Sequence, residues 1–188
     1  MFSAVYHSAP PTRLKRLCAA AALVVLLLGM TTQPANAEAR SDTRDEASVR
    51  AALIFNLLKF AQWPETLPAD ATLHLCAIDA SPAFVSALRP LEQRSVGQHA
   101  LQTKSVSSKE LDNCEIIVSD AAQTPYSITQ ISDRNVLTIG EAGFIDRGGM
   151  IGITVVDGRL RFEINLEAMK RSGISLPSQV LQLAVRTR

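Results

Sequence analysis

The dipeptide Asp157-Gly158 constrains this chain more than any other feature, because it separates two runs of alternating apolar and polar residues, 151–156 and 159–164. Aspartate and glycine tolerate the positive φ values of a two-residue hairpin turn, so the two runs are expected to pair as antiparallel strands. The turn also sets the register. Val156 falls opposite Arg159, Val155 opposite Leu160, Thr154 opposite Arg161, Ile153 opposite Phe162, Gly152 opposite Glu163 and Ile151 opposite Ile164. The large apolar side chains share one face, and the other carries Gly152, Thr154, Arg161 and Glu163 with Val156 as its hydrophobe. One face is core and the other polar. Gly148-Gly149 just upstream predicts a backbone bend or a close approach that a side chain would block.

The N-terminal residues read as a targeting segment: a basic stretch at Arg13, Lys15 and Arg16, an apolar run over 17–28, and Ala35-Asn36-Ala37 as cleavage site. Cleavage is expected after Ala37, which makes the protein periplasmic. The apolar run is short of the roughly 20 residues that span a bilayer. Of 188 residues, 151 remain, with 16 Lys+Arg against 18 Asp+Glu, because the first 37 hold three basic residues and no acidic ones. That weak negative charge argues against nucleic acid as a partner, and the length suits one domain with a full core.

Two cysteines remain, Cys76 and Cys114, and in an oxidising compartment a disulfide between them is expected. Closing their loop stabilises the fold by about 4 kcal/mol in the chain-entropy model. A redox-sensing role stays open, though the processed chain has no third cysteine to act as a resolving thiol.

Residues 38–47 are polar without apolar period and are read as a flexible leader. A helix follows over 48–62, its stripe made of Val49, Ala52, Leu53, Asn56, Leu57 and Phe60 and widened by Ile54, Phe55, Leu58 and Ala61. Pro64 disfavours helical geometry at Trp63 and ends it. Asn56 inside the stripe is expected to hold a structural hydrogen bond. Trp63 is either core or an exposed anchor for a partner. Further on, strand signals at 73–78, 100–106, 115–119 and 135–139 alternate with helix signals at 82–91, with Ser81 as N-cap, and at 125–132. Ser107 or Ser108 opens a short helical turn. After the hairpin, Asn165 caps a helix over 166–172 that stops at Gly173, and Pro177-Ser178 opens a last short one. The basic end, Arg186 and Arg188, is read as solvated. The alternation predicts an α/β fold for residues 48–188: a single domain with a mixed, mostly parallel sheet, helices on both faces and an antiparallel C-terminal hairpin.

Catalysis finds little support. A serine or threonine nucleophile needs a base, and the processed chain offers His74 and His99, one in mid-strand and one at a loop edge, both read as structural or surface residues. A zinc site would need three or four clustered ligands. The glycines at 143, 148, 149 and 152 match no phosphate-binding fingerprint. The hairpin's polar face remains. Arg161 and Glu163 form either an internal ion pair or a recognition surface around the depression at Gly152, with Phe144 as an aromatic anchor.

The blocks VRAALIFNLLKFAQWP at 49–64, VLTIGEAGFIDRGGMIGITVVDGRLRFEIN at 136–165 and SGISLPSQVLQLA at 172–184 resemble the YfiR-like family of periplasmic proteins. The resemblance covers nearly all of the processed chain and departs at Pro177, where the family usually has serine. It implies an α/β domain, commonly a homodimer, without cofactor or catalytic activity. It further implies repression of a YfiN-like inner-membrane diguanylate cyclase through that enzyme's periplasmic region, relieved by a YfiB-like outer-membrane lipoprotein, with lowered cyclic di-GMP and biofilm as the output. The competing reading is a periplasmic small-ligand-binding module reporting to a sensor kinase or transporter.

Overall fold

A computed structural model describes residues 36–68, 70–107, 110–121 and 135–188, with side chains from residue 45 onward. The signal segment, the helix expected over 125–132 and most of the turn expected after Ser107 lie outside the described residues. The elements are α1 (Asn36–Phe60), β1 (Leu73–Ile78), α2 (Pro82–Leu88) with a 3-10 turn at Arg89–Leu91, β2 (Ser95–Val96), β3 (His99–Val106) and β4 (Ile116–Val118). β5 (Leu137–Glu141), a 3-10 turn at Phe144–Arg147, β6 (Ile151–Val156), β7 (Arg159–Ile164), α3 (Leu166–Ser172), α4 (Ser178–Leu181) and β8 (Arg186–Thr187) complete the order.

The strands form one sheet in the order β2-β3-β1-β4-β5-β6-β7-β8. β1 pairs in parallel with β3 and β4, β4 with β5, β5 with β6, and β7 with β8, whereas β2-β3 and β6-β7 are antiparallel. This is the expected mixed, mostly parallel α/β architecture. The hairpin has the register that Asp157-Gly158 predicts at every one of its pairs, from Val156 and Arg159 to Ile151 and Ile164. Its apolar face is core only at the base: Ile151, Ile153, Phe162 and Ile164 are buried, while Val155 is 56 % exposed.

Alternate residues of β1 enter two separate clusters. Leu73, Leu75 and Ala77 join the main core with Ile54, Leu58, Phe84 and Met169. Cys76 and Ile78 join a smaller one with Cys114, Ile117 and Val136. Cys76 and Cys114 are disulfide-bonded across the β1-β4 neighbourhood, with their Cα atoms 5.9 Å apart. Local signals read from sequence hold at the caps. Ser81 Oγ accepts from the Phe84 N–H at 3.2 Å, Asn165 Oδ1 accepts from the Ala168 N–H at 3.0 Å, and Gly173 ends α3 at φ 71°.

α1 departs from expectation at both ends and in its rotation. It begins at Asn36, because the stretch read as a leader consists largely of Ala, Glu and Arg without glycine or proline and propagates the helix. It ends at Phe60, and Gln62 instead pairs with Ser175 through two backbone hydrogen bonds of 2.9 and 3.0 Å. The buried stripe is Ala47, Arg50, Ala51, Ile54, Phe55, Leu57 and Leu58. Val49, Ala52, Asn56 and Phe60 face outward, so Asn56 is exposed and holds no buried amide bond. Apolar residues occupy both stripes, and an apolar period cannot choose between them.

Candidate functional site

The polar face of the hairpin acquires its character from a residue at the far end of the chain. β8 runs parallel to β7 with Arg186 beside Glu163. The Arg186 guanidinium donates from Nε to Glu163 Oε1 at 3.1 Å and from Nη2 to Glu163 Oε2 at 3.0 Å. It also donates from Nη1 and Nη2 to Asp146 Oδ1 and Oδ2, at 3.0 and 2.7 Å. Arg188 Nη1 adds a looser contact, 3.7 Å from Asp146 Oδ1. One planar fork thus bridges two carboxylates, a geometry that arginine's fixed donors allow and lysine's do not. The hydrogen bonds from Arg186 hold the Asp146 carboxyl below the ordinary aspartate range, and those to Asp146 and then Glu163 hold Arg186 above the usual arginine value.

Arg161 and Glu163 do point the same way, but they do not pair with each other. Arg161 makes a marginal 3.5 Å contact to the Leu160 carbonyl, and its guanidinium finds no carboxylate partner among the described residues. Gly152 gives Glu163 its room. A Cβ there would sit 3.4 Å from Glu163 Oε2 and 3.3 Å from the Glu141 carbonyl oxygen. Leu183 and Val185 are 67 % and 45 % exposed beside β8, and Leu166 is 40 % exposed where its N–H meets the Arg188 carbonyl. The result is a fixed charged centre with apolar flanks.

Phe144 is not part of this surface. It is 2 % exposed, and its ring lies between Gly140 and Gly149, where an added Cβ would approach within 2.4 and 2.1 Å of ring carbons. That sandwich explains Gly149, while Gly148 makes the bend at φ 93°. An aromatic this well enclosed serves the core, which corrects its reading as an anchor. Trp63 is half-buried and packs on the main core beside the amino ends of β1, β4 and β5, with Pro64, Leu67, Asn113 and Val136 around it. Asp146 and Glu163 lie toward the opposite ends of those strands, so the fold does not bring Trp63 to the hairpin site.

His74 is held to Glu115: its backbone N–H donates to Glu115 Oε2 at 2.7 Å and its Nδ1 lies 3.0 Å from the same oxygen. His99 Nδ1–H donates to the Ala71 carbonyl at 3.0 Å. Among the described residues no group of three His, Cys, Asp or Glu could hold a metal ion. Sequence reading missed Asp146 and Arg186. The available signal was the alternation Val185-Arg186-Thr187-Arg188, too short to register as a strand.

A family model described as YfiR/HmsC-like matches residues 47–185. Among solved structures, the chain is similar to a conserved domain protein of Vibrio cholerae O1 biovar El Tor, at 14 % identity and a TM-score of 0.48, with 76 % of this chain and 60 % of that one covered. The chain therefore spans less than two thirds of that protein's length.

Proposed function

Because the chain belongs to the YfiR/HmsC-like family, a family of non-catalytic periplasmic regulators in cyclic di-GMP signalling, we propose that it represses an inner-membrane diguanylate cyclase by binding the enzyme's periplasmic sensor region. In this reading residues 1–37 are removed on export, residues 48–188 form the regulatory domain, and the protein acts as a homodimer. No helix among the described residues is long and apolar enough to cross a membrane. A YfiB-like outer-membrane lipoprotein relieves repression by competing for the regulator.

The observation that carries the reading is the Asp146–Arg186–Glu163 bridge beside the Arg161 guanidinium, which has no carboxylate partner among the described residues. Its side chains are held in one orientation before any partner arrives, which lowers the entropy lost on binding. Repression then works as a population shift: the regulator binds one arrangement of the sensor region more tightly than the other and so favours the inactive enzyme. Trp63 contributes a second, separate contact.

The test is titration of the purified regulator against the periplasmic region of the cyclase, with cyclic di-GMP measured in cells. Arg161→Ala and Arg186→Ala should each weaken the complex at least about tenfold and raise cyclic di-GMP, and the melting temperature of Arg161→Ala should stay close to wild type. Unchanged affinity in both variants would rule out this surface.

A further inference from the structure

The side of α1 turned away from the sheet is not the polar face that a surface helix ordinarily presents. Asp45, Val49, Ala52, Asn56 and Lys59 are all exposed on it and follow one another at alternating four- and three-residue spacing. That spacing draws the straight seam of a two-helix contact. Phe60 extends the seam at its carboxyl end. The hairpin tip deepens this seam into a groove of about 620 Å3, with Val49, Ala52 and Leu53 on one side, Leu160 on the other and Gly158 at the turn. Val155 lies opposite Leu160 in the hairpin and shares its face. Of the seven large apolar side chains exposed among the described residues, Val49, Phe60, Val155 and Val156 lie on α1 or at the hairpin tip. Apolar surface gathered in this way marks an interface.

The charges say what covers it. The seam has a carboxylate, Asp45, at its amino end and an ammonium, Lys59, at its carboxyl end, each seven residues from Ala52. Its complement is a helix with the reverse order of charge, and α1 itself, run in the opposite direction, is such a helix. With two copies laid antiparallel about a two-fold axis at Ala52, each Asp45 meets Lys59 of the partner subunit, roughly 10 Å from the axis at the rise of an α-helix. The helix dipoles are opposed in the same arrangement. A parallel pair would instead set Asp45 against Asp45 and Lys59 against Lys59. Ala52 is the smallest side chain of the seam, so the two backbones come closest where they cross.

We propose that the outer face of α1 is the interface between two copies of this chain, crossed antiparallel at Ala52, with Val49 and Phe60 buried in the contact and Asp45 paired with Lys59 of the partner subunit at each end. This gives the homodimer of the preceding reading its interface and rests on that reading for its stoichiometry. It uses neither Arg161 nor Arg186, so the β7-β8 surface stays open on both copies.

Sedimentation equilibrium of the exported protein, in the absence of any cyclase, tests this. The wild type should dimerise in the micromolar range, and Ala52→Glu, which sets two carboxylates face to face at the axis, should be monomeric there. Asp45→Lys and Lys59→Asp should each weaken self-association about tenfold or more, since each brings like charges together at both ends. The double variant should return to near the wild-type value, a rescue that antiparallel pairing alone provides. Arg161→Ala should dimerise like the wild type, so a failure of the cyclase-binding surface and a failure of this interface are read separately. Should Ala52→Glu fail to fold, the two charge reversals, both at exposed residues, decide alone. A monomeric wild type at about 200 µM, a dimer that survives the single reversals, or single losses that the double variant does not recover would overturn the proposal.

Discussion

Arg186 gathers two acids that the chain places 40 and 23 residues away, Asp146 and Glu163. Its consequence is visible in acid. The folded Asp146 value lies below the ordinary 3.8, so the stabilisation is present above that pH and is lost as pH falls through the depressed value. Arg186→Ala should shift the acid-unfolding limb to higher pH, as read by circular dichroism. Glu141 has the opposite sign. Its folded value lies above 4.5 through burial, so the fold gains stability as pH falls through the folded value and holds the full gain below 4.5. The melting-temperature difference between Glu141→Gln and wild type should therefore narrow on acidification, and a constant gap would contradict the burial argument. Gly149 makes a steric prediction at the same scale. Gly149→Ala drives a Cβ into the Phe144 ring and should cost about 1–3 kcal/mol in chemical denaturation, partly recovered in combination with Phe144→Leu. Asn165 and Ser81 were legible as caps because the groups they bond lie three residues away. Asn56 was misread because its environment depends on which side of α1 meets the sheet.

Among elements, the hairpin and α1 show the two outcomes side by side. In the hairpin, turn chemistry and the two-residue alternation determine register together, and both are written within 14 residues, 151–164. In α1, apolar residues run almost all the way round, so the buried side is chosen by what it packs on, including Glu141 reaching Arg50. Leu58→Ala should cost about 2–5 kcal/mol, whereas Phe60→Ala, at a side chain 51 % exposed, should stay within about 0.5 kcal/mol for the isolated protomer. Equal costs would mean that α1 is rotated from the position described. The disulfide joins β1 to the approach of β4 across a sequence separation of 38. Replacing both cysteines by alanine should lower stability by about 2–4 kcal/mol, measured as a fall in denaturation midpoint with a steeper slope, because the unfolded chain expands without the cross-link.

For the molecule as a whole, the fold places two candidate surfaces on separate elements with separate chemistry. The bridge from Arg186 joins β8 to β7 and to the turn that also buries Phe144, while the outer seam of α1 runs beside the hairpin tip. The α/β class, the parallel middle of the sheet and the cystine were all readable from alternating signals and a cysteine count. By itself the sequence determined what depends on neighbours along the chain: the hairpin turn and its register, the caps at Ser81 and Asn165 and the stop at Gly173, each governed by interactions over a few residues. The tertiary structure alone decided the rotation of α1, the addition of β8, the burial of Phe144 and the bridge from Arg186 to Asp146 and Glu163. Those depend on contacts between distant segments, whose closeness follows from packing the whole sheet and from no local preference.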